Sequence, residues 1–226
     1  MDFIMERTVF QGAPPTDWPK RLFDIAGALG GLIAFSPVMA AIAVAILLED
    51  GRPVFFRQER VGRTRRPFTI VKFRSMRNEQ VTRVGRILRA TGLDELPQFI
   101  NILRGDMSAV GPRPLTESDV QRLGWTAERY DFRWRVLPGL TGAAQVMGAR
   151  SGVSASLDRW YVARQNWSLD VRLVAVSFAI NALGKTRAQQ LVRAGQAGLR
   201  ASTSKFTIGN SSAPPRDRCG THQKSG

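Results

Sequence analysis

Two carboxylates stand side by side at Asp94 and Glu95, in the stretch Thr91-Gly92-Leu93-Asp94-Glu95-Leu96-Pro97-Gln98. The chain leading to them is strongly cationic. From Arg52 to Arg89, twelve Arg and Lys residues stand against only two acids, Glu59 and Glu79. Pro97 suits the first turn of a helix, where its missing N–H removes no hydrogen bond. The spacing predicts a helix from near Asp94 to about Leu103, stopped by Gly105. The pair would then lie at a helix N-terminus, where the dipole keeps carboxylates ionised and also favours bound phosphate. An acidic helix cap without chemistry has the same signature, and spacing alone does not choose between the two.

Composition narrows the chemistry. Among 226 residues there is one cysteine, Cys219, and one histidine, His222, both near the C-terminus. No disulfide framework or cysteine metal site can be built. Histidine carries most general-base and zinc chemistry, so an enzyme made from this chain must use carboxylates, Lys, Arg or a hard metal ion. The formal charge of +15 points to a polyanionic partner: nucleic acid, an anionic membrane, or a phosphate-bearing substrate. The arginines interleave with apolar residues and match no nucleic-acid-binding pattern, so nucleic acid is not expected as a partner.

Further cations flank the acidic pair. Pro112-Arg113-Pro114 brackets one arginine between prolines, a rigid loop suited to bidentate phosphate recognition. Lys72-Phe73-Arg74-Ser75-Met76-Arg77 sets cations beside apolar residues, as a solvated or membrane-facing basic patch also would. Gly184-Lys185-Thr186 lacks the first glycine of a phosphate loop, because residue 179 is alanine, and it follows a helical pattern. No GxGxxG stands between a strand and a helix, which leaves a dinucleotide fold unsupported.

The elements that must position these residues follow from periodicity. Pro53–Phe56 and Pro67–Val71 predict two strands joined by the turn Gly62–Arg65. Val81–Ala90 predicts a short amphipathic helix leading into the acidic pair. Residues 115–135 are polar and helical in pattern; Ser156–Gln165 and Leu169–Leu183 predict two more helices. The expected class is α+β, mostly helical. Residues 1–19 read as a flexible leader, 20–50 as a membrane helix, 51–185 as a catalytic domain, and 186–226 as a basic, largely disordered tail.

Ile25–Leu48 is 24 residues without a charge, long enough for a straight helix to cross a bilayer core. Ser36-Pro37 falls in its middle, and a proline there interrupts the helical ladder. Both flanks are basic, with Lys20 and Arg21 before and Arg52 and Arg57 after, which places both ends on the cytoplasmic side. A re-entrant helix–break–helix satisfies both features; a single kinked span is the competing reading.

As a set, these residues resemble the bacterial sugar transferases, the monotopic polyprenyl-phosphate phosphoglycosyl transferases. The resemblance rests on Lys20-Arg21-Leu22-Phe23-Asp24, Ser36-Pro37, Pro53–Gly62, Lys72–Met76 and Leu93–Gln98. It continues through Gly105–Ser108, Gly111–Pro114, Pro138–Gly142 with Gln145, and Asp158 with Tyr161. It implies a re-entrant helix broken at Ser36-Pro37, with a small β-hairpin beside amphipathic interfacial helices. It implies that Asp94 is a nucleophile toward the β-phosphate of a UDP-sugar, with Glu95 as its partner. Both would contact Mg²⁺, and Arg89, Arg113, Lys72 and Arg74 would bind phosphate. UMP would leave, and undecaprenyl phosphate would take the sugar phosphate at the cytoplasmic face of the bacterial inner membrane, opening exopolysaccharide synthesis. Inner-membrane lipids are further expected partners, and a homodimer is a candidate assembly. Gly92 replaces a usual serine, Met147 a common asparagine, and the Leu169–Leu183 helix lacks a usual threonine, departures that bear on substrate preference. The chain resembles the minimal form of the family, with galactose or glucose as the expected sugar. A membrane-tethered polyanion binder without enzymatic activity is the alternative; it leaves the carboxylate pair and the Pro112-Arg113-Pro114 loop unexplained.

Overall fold

The computed structural model describes residues 18–149 and 151–183. The expected leader up to residue 17, the Gly184-Lys185-Thr186 stretch and the C-terminal tail lie outside them.

The first element is a helix of 33 residues, α1 (Trp18–Asp50), about 50 Å long at 1.5 Å per residue. Where two helices separated by a break were expected, one helix continues through Pro37. The reason is local. Pro37 has no N–H to offer the carbonyl of Ile33, four residues earlier. The Ser36 hydroxyl donates to that same carbonyl at 2.8 Å, so the group orphaned by proline is satisfied by its neighbour.

Few residues of α1 are buried: Asp24 and Ala28 near one end, Ile42 and Ile46 near the other. Ala28 packs with Ile70, Ile102 and Met107. Ile42 and Ile46 pack with Phe73, Leu88 and Leu96, and burying an aliphatic side chain of this size stabilises by roughly 1.5–3 kcal/mol. Midway, Gly31 lies so close to Phe99 that a Cβ would come within 2.8 Å of the ring. Along the same helix Leu22, Leu29, Ile33, Val44 and Leu48 remain exposed.

Polar groups fix both ends of α1. Lys20 pairs with the buried Asp170 carboxylate, which also accepts from the Tyr161 hydroxyl at 2.7 Å. Arg21 donates to the carbonyls of Ile102 and Leu103. Asp24 accepts from the Ser108 hydroxyl and the Ala109 N–H. At the other end, the Glu49 carboxylate takes the backbone N–H groups of Arg83 and Val84 at 2.7 and 2.9 Å. Those are free N–H groups of the next helix, α2 (Arg83–Thr91), whose N-cap is Thr82.

Before α2 come two hairpins. Strands β1 (Phe55–Val61) and β2 (Pro67–Phe73) pair antiparallel, longer than the runs predicted for them. The register sets Phe56 opposite Lys72, Gln58 opposite Ile70 and Arg60 opposite Phe68. Alternation therefore puts Gln58, Arg60, Ile70 and Lys72 on one face. Strands β3 (Met76–Arg77) and β4 (Gln80–Val81) form a tight hairpin whose turn residues, Asn78 and Glu79, both have positive φ.

The helix expected from Asp94 to Leu103 is two pieces, a 3-10 turn over Leu93–Gln98 and then α3 (Phe99–Arg104). Pro97 explains the tighter first half, since it has no N–H to give the carbonyl of Leu93. Gly92 (φ 78°) and Gly105 (φ 88°) close α2 and α3 in the left-handed conformation.

A parallel pair, β5 (Ser108–Val110) and β6 (Gly139–Thr141), carries the Pro112-Arg113-Pro114 loop between its strands in sequence. Here Gly111 and Gly139 touch, and a Cβ on Gly139 would fall 2.0 Å from the Gly111 nitrogen. The polar stretch 115–135 divides into α4 (Glu117–Arg122), opened by a Thr116–Asp119 capping box, and a 3-10 turn over Glu128–Arg135. The described chain ends with α5 (Ala143–Val146), α6 (Ser151–Arg164) and α7 (Trp167–Leu183). The outcome is the expected α+β, mostly helical architecture.

Candidate active site

Asp94 and Glu95 occupy the first turn of the 3-10 segment, which Leu96, Pro97 and Gln98 root in the interior. Residues three apart eclipse in a 3-10 helix, so Glu95 and Gln98 point the same way. Both line one open cleft. Arg60, Ile70 and Lys72 from the shared face of β1 and β2 form another wall, and Arg113, Pro114, Gly139, Leu140 and Gln145 complete it.

The Glu95 carboxylate is the electrostatic centre of this cleft. Its Oε1 lies 2.8 Å from Lys72 Nζ and 3.8 Å from Arg113 Nη2. Arg60 is half-buried, and its guanidinium is pushed below its ordinary value by burial first and by the neighbouring Arg113 charge second, while Asp119 and Glu95 act in the opposite sense. Two cations, Lys72 and Arg113, converge on one carboxylate, and Arg60 lines the same cleft, in the setting that a phosphate group needs.

The loop that presents Arg113 is held from behind. Arg133 donates to the Arg113 carbonyl at 2.9 Å and Arg60 to the Pro114 carbonyl at 3.2 Å. Arg133 is itself buried, paired with Asp158, and stacked near Trp125 and Trp134, with its guanidinium carbon 4.6 and 5.8 Å from their ring centres. Burial pushes its pKa down to about 10, so it remains a cation at neutral pH.

Of the residues expected at the site, the structure brings together Glu95, Lys72 and Arg113, with Asp94 half-buried beside Glu95 in the same turn. Arg89 is exposed in the last turn of α2 and does not line the cleft. Arg74 is elsewhere: its Nη2 donates to the carbonyls of Asp50 and Gly51 at 3.2 and 2.9 Å, just where α1 ends. Ser36 and Pro37 lie in the exposed middle of α1. Three polar cleft residues were not anticipated as site residues: Arg60, Gln98 and Gln145. The register of the hairpin would have revealed Arg60, and the 3-residue repeat would have revealed Gln98.

The donor set also bears on metal. Among the described residues no group of three or more His, Cys, Asp and Glu side chains gathers to form a closed metal cage. Two adjacent carboxylates, one of them lining a cationic cleft, do fit Mg²⁺, which is commonly held by one or two carboxylates together with substrate phosphate oxygens.

Residues 16–183 match the family model described as bacterial sugar transferase. The chain belongs to that family. It is 41% identical over 180 residues to the UDP-glucose:undecaprenyl-phosphate glucose-1-phosphate transferase of Caulobacter vibrioides, covering 70% of this chain and 67% of that one. It is 37% identical over 201 residues to the uncharacterized sugar transferase EpsL of Bacillus subtilis, covering 78% and 96%. It is 40% identical over 175 residues to the UDP-N-acetylgalactosamine-undecaprenyl-phosphate N-acetylgalactosaminephosphotransferase of Aeromonas hydrophila, covering 69% of this chain and 41% of that longer protein. The family match spans every described element from α1 to α7, including both walls of the cleft.

Proposed function

We propose that this chain transfers a sugar-1-phosphate from a UDP-sugar to undecaprenyl phosphate, giving UMP and undecaprenyl-diphosphate-sugar, as a first step of exopolysaccharide or surface glycan synthesis. The observation that carries the proposal is the carboxylate pair at a cleft where Glu95 already draws Lys72 and Arg113 together. The names of the relatives, which act on glucose and on N-acetylgalactosamine, support the same reaction class.

The chain's own residues divide the work. Lys72, Arg60 and Arg113 bind the diphosphate and spread its charge. A carboxylate is a weak nucleophile, and Asp94 becomes competent when the phosphate it approaches is neutralised. An Asp94 oxygen attacks the β-phosphorus; the bond from that phosphorus to the bridging oxygen breaks, and UMP leaves with that oxygen. The sugar phosphate stays on Asp94 as an acyl phosphate. A phosphate oxygen of the lipid then attacks the same phosphorus, and the Asp94 carboxylate leaves unchanged. Asp94 and Glu95 are the residues that would hold Mg²⁺, which when bound supplies further neutralisation of phosphate charge.

Membrane placement is part of the proposal. A soluble nucleotide-sugar and a lipid phosphate can meet only at the interface. Exposed leucines and isoleucines along α1 suit lipid, and contacts from both of its ends to one compact unit support shallow insertion from the cytoplasmic face of the inner membrane. Asp94→Asn is expected to abolish UMP release from any UDP-sugar, lipid present or not. Wild-type rates in that variant would remove Asp94 from the nucleophile's role.

A further inference from the structure

The Pro112-Arg113-Pro114 loop carries one of the cations of the cleft, yet its own backbone offers little to hold it. The two prolines have no N–H, so within the loop only Arg113 can donate from the main chain. The loop is fixed through its carbonyls, and each of the three is taken by a donor from another part of the chain. The Gly139 N–H of β6 donates to the Pro112 carbonyl at 2.9 Å. Arg133 Nη2 donates to the Arg113 carbonyl at 2.9 Å. Arg60 Nη1, from β1, donates to the Pro114 carbonyl at 3.2 Å. Gly139 and Arg60 line the cleft themselves; Arg133 does not. Arg133 is 3% exposed, and its other arm pairs with Asp158 of α6, 2% exposed. A buried ion pair stabilises a fold little compared with apolar side chains of similar size. What apolar side chains could not supply is a rigid planar fork, with one arm on a carboxylate and the other on the backbone that presents Arg113.

We infer that Arg133 and Asp158 are positioning residues for the transfer: Asp158 aims the Arg133 fork, the fork holds the Arg113 backbone, and Arg113 is thereby set against the diphosphate of the UDP-sugar. The inference rests on the transferase reading, in which Arg113 clamps phosphate. Neither residue lines the cleft, so both act through Arg113 and touch no substrate. The Arg113 side chain is half-exposed, so few neighbours hold it directly, and its aim depends on the backbone from which it starts. A shift of about 1 Å in a clamping group can cost on the order of 10²-fold in rate, which makes a distant anchor of that backbone matter to the chemistry.

The test is a double-mutant cycle on the full-length chain in membranes or detergent: wild type, Arg133→Lys, Arg113→Met, and both together. UMP release is followed with whichever of UDP-glucose, UDP-galactose and UDP-N-acetylgalactosamine the wild type uses fastest. Lysine keeps a cation beside Asp158 but offers one nitrogen where the fork offered two arms. Arg133→Lys should lower kcat/KM roughly tenfold in the otherwise wild-type chain, and by less than about twofold where Arg113 is already Met, because residues that act through one another are not additive. Equal losses in the two backgrounds would make Arg133 a support of the fold alone, and no loss in either would separate it from the reaction; both results overturn the inference. Asp158→Asn keeps the shape of the side chain and an oxygen that accepts from Arg133. Taken through the same cycle it should give the same pattern, with the same results against it, and it decides the matter if Arg133→Lys fails to fold. A wild-type chain that releases UMP from none of the three sugars would instead count against the transferase reading itself.

Discussion

Glu95 meets its two cations within the folded chain, before any substrate is present. It holds Lys72 and Arg113 at the place where a phosphate would later need them, so their positioning is built in at folding. Lys72→Met removes the nearer cation, at 2.8 Å, and leaves Glu95 with a weaker clamp. We expect kcat/KM for UMP release to fall by about 10²–10³, the usual loss for one preorganised electrostatic contact to a reacting group; a loss under threefold would mean Lys72 serves only the fold. At this scale the sequence was readable where residue type is decisive. A carboxylate pair in a cationic chain without core histidine, and an arginine between two prolines, declare themselves. Arg60 did not, because its position depends on pairing Arg60 with Phe68 across the hairpin, and register is not local information. Arg74 misled for the converse reason: two residues after Lys72 in sequence, it lies past the end of β2 and donates to the carbonyls at the end of α1.

Helices and strands were placed well where a single period dominates and poorly where proline or glycine changes it. The Leu169–Leu183 pattern became α7, and the Val81–Ala90 pattern α2. The segment after Gly92 was expected to be one α-helix, and Pro97 made its first half 3-10. Gly85 offers a sharper test of packing against propensity. Alanine is intrinsically better than glycine inside a helix by about 1 kcal/mol, yet a Cβ at Gly85 would fall 2.0 Å from the Ser75 carbonyl oxygen. Gly85→Ala should therefore destabilise the protein, by about 1–3 kcal/mol as overpacking does, in detergent unfolding experiments. A raised midpoint would show that α2 is free to shift. Helix α4 provides a pH test. Burial raises the Asp119 carboxyl, but hydrogen bonds from Thr116 and Arg122 outweigh it, and the net position is below the ordinary 3.8. A carboxyl depressed in the folded state adds stability that is present above about pH 3.8 and is lost as pH falls through its folded value. Asp119→Asn should flatten that part of the acid-side stability profile, whereas an identical profile would assign the acid loss to other groups.

For the whole molecule, the question is how a helix of about 50 Å can be apolar enough to cross a bilayer and still belong to one body. Its charge-free run and its length were plain in the sequence, but the partners of its ends were not, because they come from residues 81 to 150 positions away: Ile102, Ser108 and Asp170 for the first end. The second end joins Arg83 and Arg74, nearer in sequence. A helix crossing the membrane would carry Lys20 and Glu49 to opposite faces. Both could then keep their partners only if the catalytic body crossed too, and its charged cleft and polar helices oppose that burial. We propose that both ends stay on one side, with the exposed apolar residues of α1 in the lipid. Single cysteines at Pro19 and at Arg52, exposed positions on either side of the apolar run, in a Cys219→Ser background that removes the natural thiol, give a direct readout. In intact spheroplasts neither position should react with a membrane-impermeant thiol reagent, and in inverted vesicles both should. A high-salt wash should leave the protein in the membrane, because screening weakens the basic surface's attraction to lipid but not the burial of apolar side chains. Labelling of one position from each side would establish a span, and would require that one set of polar contacts at the ends of α1 be broken in the membrane.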